Sequence, residues 1–318
     1  MKNPFAKLTT SEKIKVAVAA AVIAILLFIP IGFLLRGGWS GVGARWISEI
    51  VSRAVSSTRS QGSSASSAFV TLDEPYEQSA SFQASEVQNL DLEWRSGSLS
   101  VVPGTGDRLV VHVEVPAGSY ELDPLKASFT MRGDTLVVDD GLPSDTRGKD
   151  YPPMRLTVEL PAGKDWSLED VAIASVSSDA ELIGVACDSV TLDSVDAQYK
   201  IEGIDARTVT CNGVDESVEL SGRVAERLEF NTVDGTQTLA LVDGLPKELA
   251  VSSIDAVTNL SLTKGSGFTL DVTEATIDVQ SELGEGLERT GEGMYVYGDG
   301  SSHVTIDGLD ASIHLTWM

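Results

Sequence analysis

The sequence predicts an all-β fold: a parallel β-solenoid (β-helix-like), preceded by a β-rich N-terminal segment, with one N-terminal transmembrane helix. Three observations carry this expectation. An apolar pattern recurs every 19 or 21 residues from Val171 onward, β-branched runs alternate with polar residues from residue 69, and an uncharged run stands near the start. A fixed short period is the mark of stacked repeats, and alternation with period 2 is the mark of half-buried strands.

The uncharged run is Val16 to Leu35, 20 residues. At about 1.5 Å per helical residue it spans about 30 Å, the thickness of a bilayer core. It is longer than the apolar stretch of a signal peptide, and no small-residue cleavage site closes it. It therefore reads as an uncleaved anchor, with the lipid bilayer as its partner. Lys2, Lys7, Lys13 and Lys15 precede it, and Arg36, Arg45, Arg53 and Arg59 follow. The positive-inside count is thus tied, and the tighter lysine cluster tilts the reading toward a short cytoplasmic tail, 1–15.

Residues 36–68 form a stalk and linker. Trp46, Ile47, Ile50, Val51, Ala54 and Val55 recur at helical spacing, which suits an amphipathic helix lying in the membrane interface or a plain continuation of the stalk. Residues 56–68 contain seven serines and offer nothing to pack. The body then divides into a β region, 69–165, and the solenoid, 166–318.

Charge separates these parts. Residues 1–67 hold eight basic and two acidic residues. The remainder of the chain holds 15 basic and 45 acidic residues. An acidic body repels phosphates, so nucleic acid is excluded as a partner, and it stays off anionic lipid.

In the β region, Leu90, Leu92 and Trp94 alternate with polar residues, as do Met154, Leu156, Val158 and Leu160, while Leu109 to Val115 is β-branched. In the solenoid, copies begin at Val171, Val190, Val209, Leu228, Leu249 and Phe268. The third position reads Ile173, Leu192, Cys211, Phe230, Val251, Leu270. The sixth reads Val176, Val195, Val214, Val233, Ile254, Thr273, and the twelfth reads Leu182, Ile201, Leu220, Leu239, Leu260, Val279. Stacked about 4.8 Å apart, these columns become continuous apolar ladders inside the coil. The two extra residues of the fourth copy fall in Asp243–Lys247, a turn sequence, so a corner swells without shifting the ladders. Residues 294–318 read as final strands capping the stack.

The anchor, the entry segment LDLEWRSGSLSVVPGTGDRLVVHVEV, the VELPAG step at Val158 to Gly163 and the strand repeats resemble the DUF4097 family, over roughly residues 85–318. That family carries the label adhesin. Its usual Ser-Gly-Asp turn is here Ser-Val-Asp, as at Ser194-Val195-Asp196. The resemblance implies a β-solenoid at the cell surface and supplies no catalytic residues.

The residues themselves point the same way. No dinucleotide, phosphate-loop, zinc or nucleophile–base spacing is present, and His112, His303 and His314 are scattered. Cys187 and Cys211 form no CxxC and read as buried thiols, with a disulfide between them left open. The expectation is a non-catalytic, extracytoplasmic surface module with a protein or glycan ligand, no cofactor and no catalytic site. Alternatives are an envelope scaffold or sensor accessory bound to another membrane protein, or a glycan-processing β-helix enzyme. The latter needs paired carboxylates with a nearby base, and Lys200 and Arg207 do not stand out for that role. The seventh position, Ser177, Asp196, Asp215, Asp234, Asp255, Glu274, forms a carboxylate column. It reads as corner residues bonding their own turns, or as a weak calcium edge at Asp196, Asp215, Asp234 and Asp255. Arg132-Gly133-Asp134 reads as a hairpin turn.

Overall fold

The structure, a computed structural model, describes residues 69–142, 152–163, 166–263, 267–279, 286–308 and 311–317. The expected anchor at 16–35, the stalk helix and the serine linker lie outside these residues. Among the described residues no helix is long and apolar enough to cross a membrane. The β body forms one compact unit, Ser67–Met318.

The all-β expectation holds. The chain forms strands β1 (Val70–Leu72), β2 (Tyr76–Gln83), β3 (Asn89–Glu93), β4 (Ser96–Pro103), β5 (Arg108–Val115), β6 (Gly118–Tyr120), β7 (Ser128–Arg132), β8 (Thr135–Asp139), β9 (Arg155–Leu160) and β10 (Leu168–Ala174). These are followed by β11 (Ser177–Ile183), β12 (Ala186–Asp193), β13 (Asp196–Leu241), β14 (Glu248–Leu262), β15 (Phe268–Thr273), β16 (Thr276–Val279), β17 (Leu287–Arg289), β18 (Met294–Tyr297), β19 (Ser302–Gly308) and β20 (Ser312–Trp317). Strands β13 and β14 continue round corners, so each contributes to two ladders.

Ladder A runs β8, β3, β10, β12, β13, β14, β19, β15 through parallel pairs. Antiparallel β7 closes one end, and β18 and β17 close the other. Ladder B runs β9, β4, β11, β13 and β14, β20, β16 in parallel pairs, with antiparallel β5 and β2 beside β9. Each coil gives one strand to each ladder, and the alternating side chains turned inward meet between them.

The registers are those the columns imply. Val171 pairs with Val190 and Val190 with Val209, while Leu228 pairs with Leu249. All five are at most 1% exposed, as are Ile173, Leu192, Cys211 and Phe230. Stacking lets each coil bury the apolar edge of the last, and a fully buried Val or Leu contributes about 1.5–3 kcal/mol. The turn Asp243–Lys247 swells as expected: Asp243 and Gly244 take φ of 61° and 97° between β13 and β14. Arg132 pairs with Thr135, so Gly133-Asp134 is a two-residue hairpin loop, with Gly133 at φ 68°.

Four expectations are corrected. First, the sixth column is not internal: Val176, Val195, Val214, Val233 and Ile254 are only half-buried. They stand at the corner, where the backbone turns and the period-2 alternation is lost. Second, the stack does not begin at 166. Leu90 pairs with Val171, Leu99 with Ala180, and Leu99 with Leu156, so strands assigned to the N-terminal region are coils of the same parallel stack. Third, the copy beginning at Phe268 does not sit on the copy beginning at Leu249. Strands β19 and β20 lie between them: Leu249 pairs with Val304, and Val304 with Leu270. Fourth, β19 and β20 therefore do not cap the stack. That role in ladder A belongs to the β17–β18 hairpin, whose Tyr297 stacks on Phe268 at 5.6 Å and meets Trp317 edge-on at 5.4 Å.

Candidate binding surface and buried polar corner

The outward side of ladder B carries two adjoining hollows. One, of about 330 Å³, is bordered by Ser98, Ser100, Asp179, Glu181, Gln198, Lys200, Ser217 and Glu219. The other, of about 290 Å³, is bordered by Ser96, Gly97, Ser177, Asp179, Asp196 and Gln198. The alternation that turns Leu99, Ala180, Tyr199 and Val218 inward turns these polar neighbours outward, and parallel stacking sets them in rows. The serines of β4 are short, which opens the surface. Lys200 is the one cation of the border. It donates to Glu202 at 2.9 Å and to Glu181 at 3.4 Å, and these bonds raise its pKa.

The carboxylate column is exposed at Asp196, Asp215, Asp234 and Asp255, and Asp234 pairs with Asp255. Two backbone amides of the column go to the preceding coil, Asp196 to Val176 O at 2.8 Å and Asp215 to Val195 O at 2.9 Å. Glu274 is not the next member, because β20 separates β14 from β16. Among the described residues no group of three or more His, Cys, Asp or Glu is placed to hold a metal ion.

Other charges also follow the repeat. At the opposite corner Asp188, Arg207, Glu226 and Lys247 alternate in sign, with N–O separations of 3.6, 3.3 and 3.2 Å. The bonds from Lys247 and Arg207 lower the pKa of Glu226. On ladder A, Asn212 donates to Asp193 at 2.8 Å, and Asn231 to Asn212 at 3.0 Å. Arg95 bonds the fully buried Asp140 through both its backbone amide, at 2.8 Å, and its guanidinium.

The histidines lie apart. Ser79 meets His112 at 2.7 Å, and His314 meets Asp278 at 3.2 Å. His303 stands 2.9 Å from the Thr269 hydroxyl and 3.8 Å from Asp271. This trio has the composition of a hydroxyl–imidazole–carboxylate set. It sits on an exposed flat strand, with β19 paired on both sides, so its backbone offers no oxyanion donors. Cys187 and Cys211 are both free and buried. Burial pushes the Cys187 thiol up to about 12 and the Cys211 thiol well above its ordinary range, which disfavours the thiolate at both.

Inside the corner where ladder A turns into ladder B, the core is polar. Ser175 Oγ lies 3.0 Å from Tyr199 OH. Ser194 Oγ donates to Glu216 Oε2 at 2.9 Å. Thr258 donates to Gln237 Oε1 at 3.1 Å. Glu216 is 2% exposed. Burial raises its pKa from 4.5 to about 7, against the lowering effect of the Ser194 bond, with nearby Asp193 adding to the rise. Gly213 leaves room for its carboxyl, since a Cβ there would lie 2.3 Å from Glu216 Oε2, and Gly235 packs against its backbone, where a Cβ would lie 2.1 Å from Glu216 O. Two signals for this residue were legible in the sequence. Glu216 is in alternation phase with inward Val218 and Leu220, and the equivalent position one coil on is Gly235.

No protein-family model matches the chain. No curated protein matches it. Solved structures similar to it include a "putative adhesin" from Bacteroides fragilis NCTC 9343, 10% identical, TM-score 0.48, covering 75% of this chain and 97% of that one. A "putative lipid binding protein" from Parabacteroides distasonis ATCC 8503 is 11% identical, TM-score 0.42, covering 77% and 98%. A "putative cell adhesion protein" from Clostridium sporogenes ATCC 15579 is 10% identical, TM-score 0.38, covering 77% and 100%.

Proposed function

We propose that the chain is a non-catalytic binding module of the DUF4097 adhesin kind, a β-solenoid held outside the cytoplasm by a membrane anchor at 16–35. The observation that carries the binding reading is the pair of adjoining hollows on ladder B, whose outward side chains are all Ser, Asp, Glu, Gln or Lys. Such a surface presents many hydrogen-bonding groups on a backbone held rigid by ladder pairing on both sides. Asp179, Glu181, Asp196 and Glu219 outnumber Lys200 there, so the ligand that fits is polar and neutral or cationic, such as an uncharged glycan or a basic peptide.

The test has two parts. Protease added to intact cells should remove the body from residue 69 onward. A body protected until the cells are opened refutes the extracytoplasmic placement. The full chain in detergent should then bind neutral glycans or basic peptides on an array, and Gln198→Trp with Ser217→Trp should abolish that binding by filling the hollow. Binding that survives both substitutions refutes the assignment to this face.

A further inference from the structure

Ladder B ends on β2, which among the described strands pairs only with β5. The other strands at ladder ends are short and charged. Strand β7 has five residues with Arg132, β17 has three with Glu288 and Arg289, and β16 has four with Asp278. Strand β2 has eight residues, YEQSASFQ, with Glu77 as its one charge and no proline. Length, charge and proline are what keep a free edge from pairing with another chain, and β2 lacks that protection.

Its side chains are placed to match a second β2. Pairing with β5 sets Glu77, Ser79 and Ser81 on the outward face, level with Glu114, His112 and Val110. Glu77 thus stands opposite another acid, and Glu114 is already bonded to Arg155. Among the described residues Glu77 has no cation. Arg108 has no carboxylate there either: its guanidinium bonds Ser81 Oγ at 3.2 Å and Ser81 O at 3.1 Å. On the other face stand Tyr76, 36% exposed, and half-buried Phe82, one near each end of the strand.

An antiparallel copy of β2 related by a two-fold axis through Ser79 resolves both oddities. Each residue then faces the one whose number completes a constant sum, and each face of the sheet continues across the seam. Glu77 faces Ser81 of the second copy, where the Arg108 guanidinium of that copy already lies. Tyr76 faces Phe82 of the second copy. The axis makes each match twice, and opposite-charge and aromatic pairs are among the cross-strand pairs that stabilise sheets. Centring the axis on Ala80 instead sets Phe82 against Gln78 and loses the aromatic pairs. Charge favours the same approach. Around this edge Glu77 and Glu114 are balanced by Arg108 and Arg155, whereas elsewhere two acidic bodies repel.

We infer that two copies of this chain join β2 to β2 about a two-fold axis at Ser79, so that ladder B runs from one molecule into the next.

Light scattering on the full chain in detergent, with the detergent mass subtracted, should give the mass of two chains. Glu77→Arg or Arg108→Glu alone sets like charges across the seam and should weaken the dimer about tenfold. The double variant restores both pairs with signs exchanged and should recover the dimer. Ser79→Cys should crosslink to its own copy under mild oxidation, because side chains directly opposite lie about 4.5–5.5 Å apart at Cβ. Gln83→Cys should not, because its two copies lie about 27 Å apart along the strands. The cysteine pair decides the register even if a charge variant folds poorly. A monomeric wild type leaves the edge to a strand of another protein and overturns the proposal. A dimer indifferent to both charge reversals, a double variant that stays monomeric, or Gln83→Cys crosslinking as readily as Ser79→Cys overturns it equally.

Discussion

Glu216→Gln should make the stability of this protein less sensitive to pH, and the sign follows from burial. In the unfolded chain the Glu216 carboxyl ionises near its ordinary 4.5. In the folded chain burial holds it to about 7. Below 4.5 both states are protonated and the group contributes nothing. As pH rises from 4.5 to 7 the unfolded state loses its proton first, so stability falls through that window and then levels off. Each pH unit in the window costs about 1.4 kcal/mol, so the fall approaches about 3 kcal/mol. Glutamine has nearly the same shape, keeps an oxygen for Ser194 and does not titrate. Urea melts of the full chain in detergent, wild type and variant, at pH 5 and pH 8 isolate this term from the other carboxylates. The variant should match the wild type within about 1 kcal/mol at pH 5 and exceed it by about 2–3 kcal/mol at pH 8. A gap that does not widen between the two pH values would refute the reading of Glu216 as a buried acid that resists ionisation.

Arg95→Ala should cost about 3–5 kcal/mol in the same melts, because it leaves the fully buried Asp140 without its cation. Leu192→Ala, inside ladder A, should cost about 2–5 kcal/mol, whereas Val195→Ala at the half-buried corner should cost less than about 1.5 kcal/mol; equal losses would contradict the corrected placement of the sixth column. Gly222→Ala should destabilise by more than about 1 kcal/mol, since Gly222 has φ of 134° and a Cβ there would lie 2.3 Å from Ile204 O. Lys247→Ala, in the exposed charge ladder, should change stability by less than about 1 kcal/mol.

Much of the fold was legible because the inward columns obey a simple rule. Wherever a strand runs straight, period-2 alternation separates Val190 and Leu192 from their polar neighbours, and a shared 19-residue phase places them on Val209 and Cys211. The rule fails where the chain bends. Val176, Val195, Val214, Val233 and Ile254 recur in phase as strictly as the core does, yet a corner position faces neither wholly in nor wholly out. The polar corner was missed for the opposite reason. Ser175 and Ser194 look like turn residues in the sequence, and only the structure shows that their side chains reach inward to meet Tyr199 and Glu216. The hollows of ladder B depend on curvature and on the short serines of β4, which no periodicity reports.

The order of the last coils marks a deeper limit. A repeat states which residues are equivalent within a coil, and it is silent about which coil sits beside which. The copy beginning at Phe268 carries apolar residues in the positions that would suit it to lie on Leu249 and Val251. Strands β19 and β20 carry an equivalent set, Val304, Ile306, Ile313 and Leu315, all at most 1% exposed, and they take that place instead. Any in-phase coil satisfies the ladders equally, so the choice must come from what is not repeated. Here that is the β17–β18 hairpin, which pairs antiparallel with β15 and sets Tyr297 between Phe268 and Trp317. With the hairpin on its outer edge, β15 has only its inner edge left for a parallel neighbour, and the chain emerging from β18 supplies one through β19. The same arrangement recurs at the other end, where β3 lies between β8 and β10 and the antiparallel β7 closes ladder A. At both ends an antiparallel strand thus occupies the outer edge of ladder A, where an exposed parallel edge would otherwise pair with another chain.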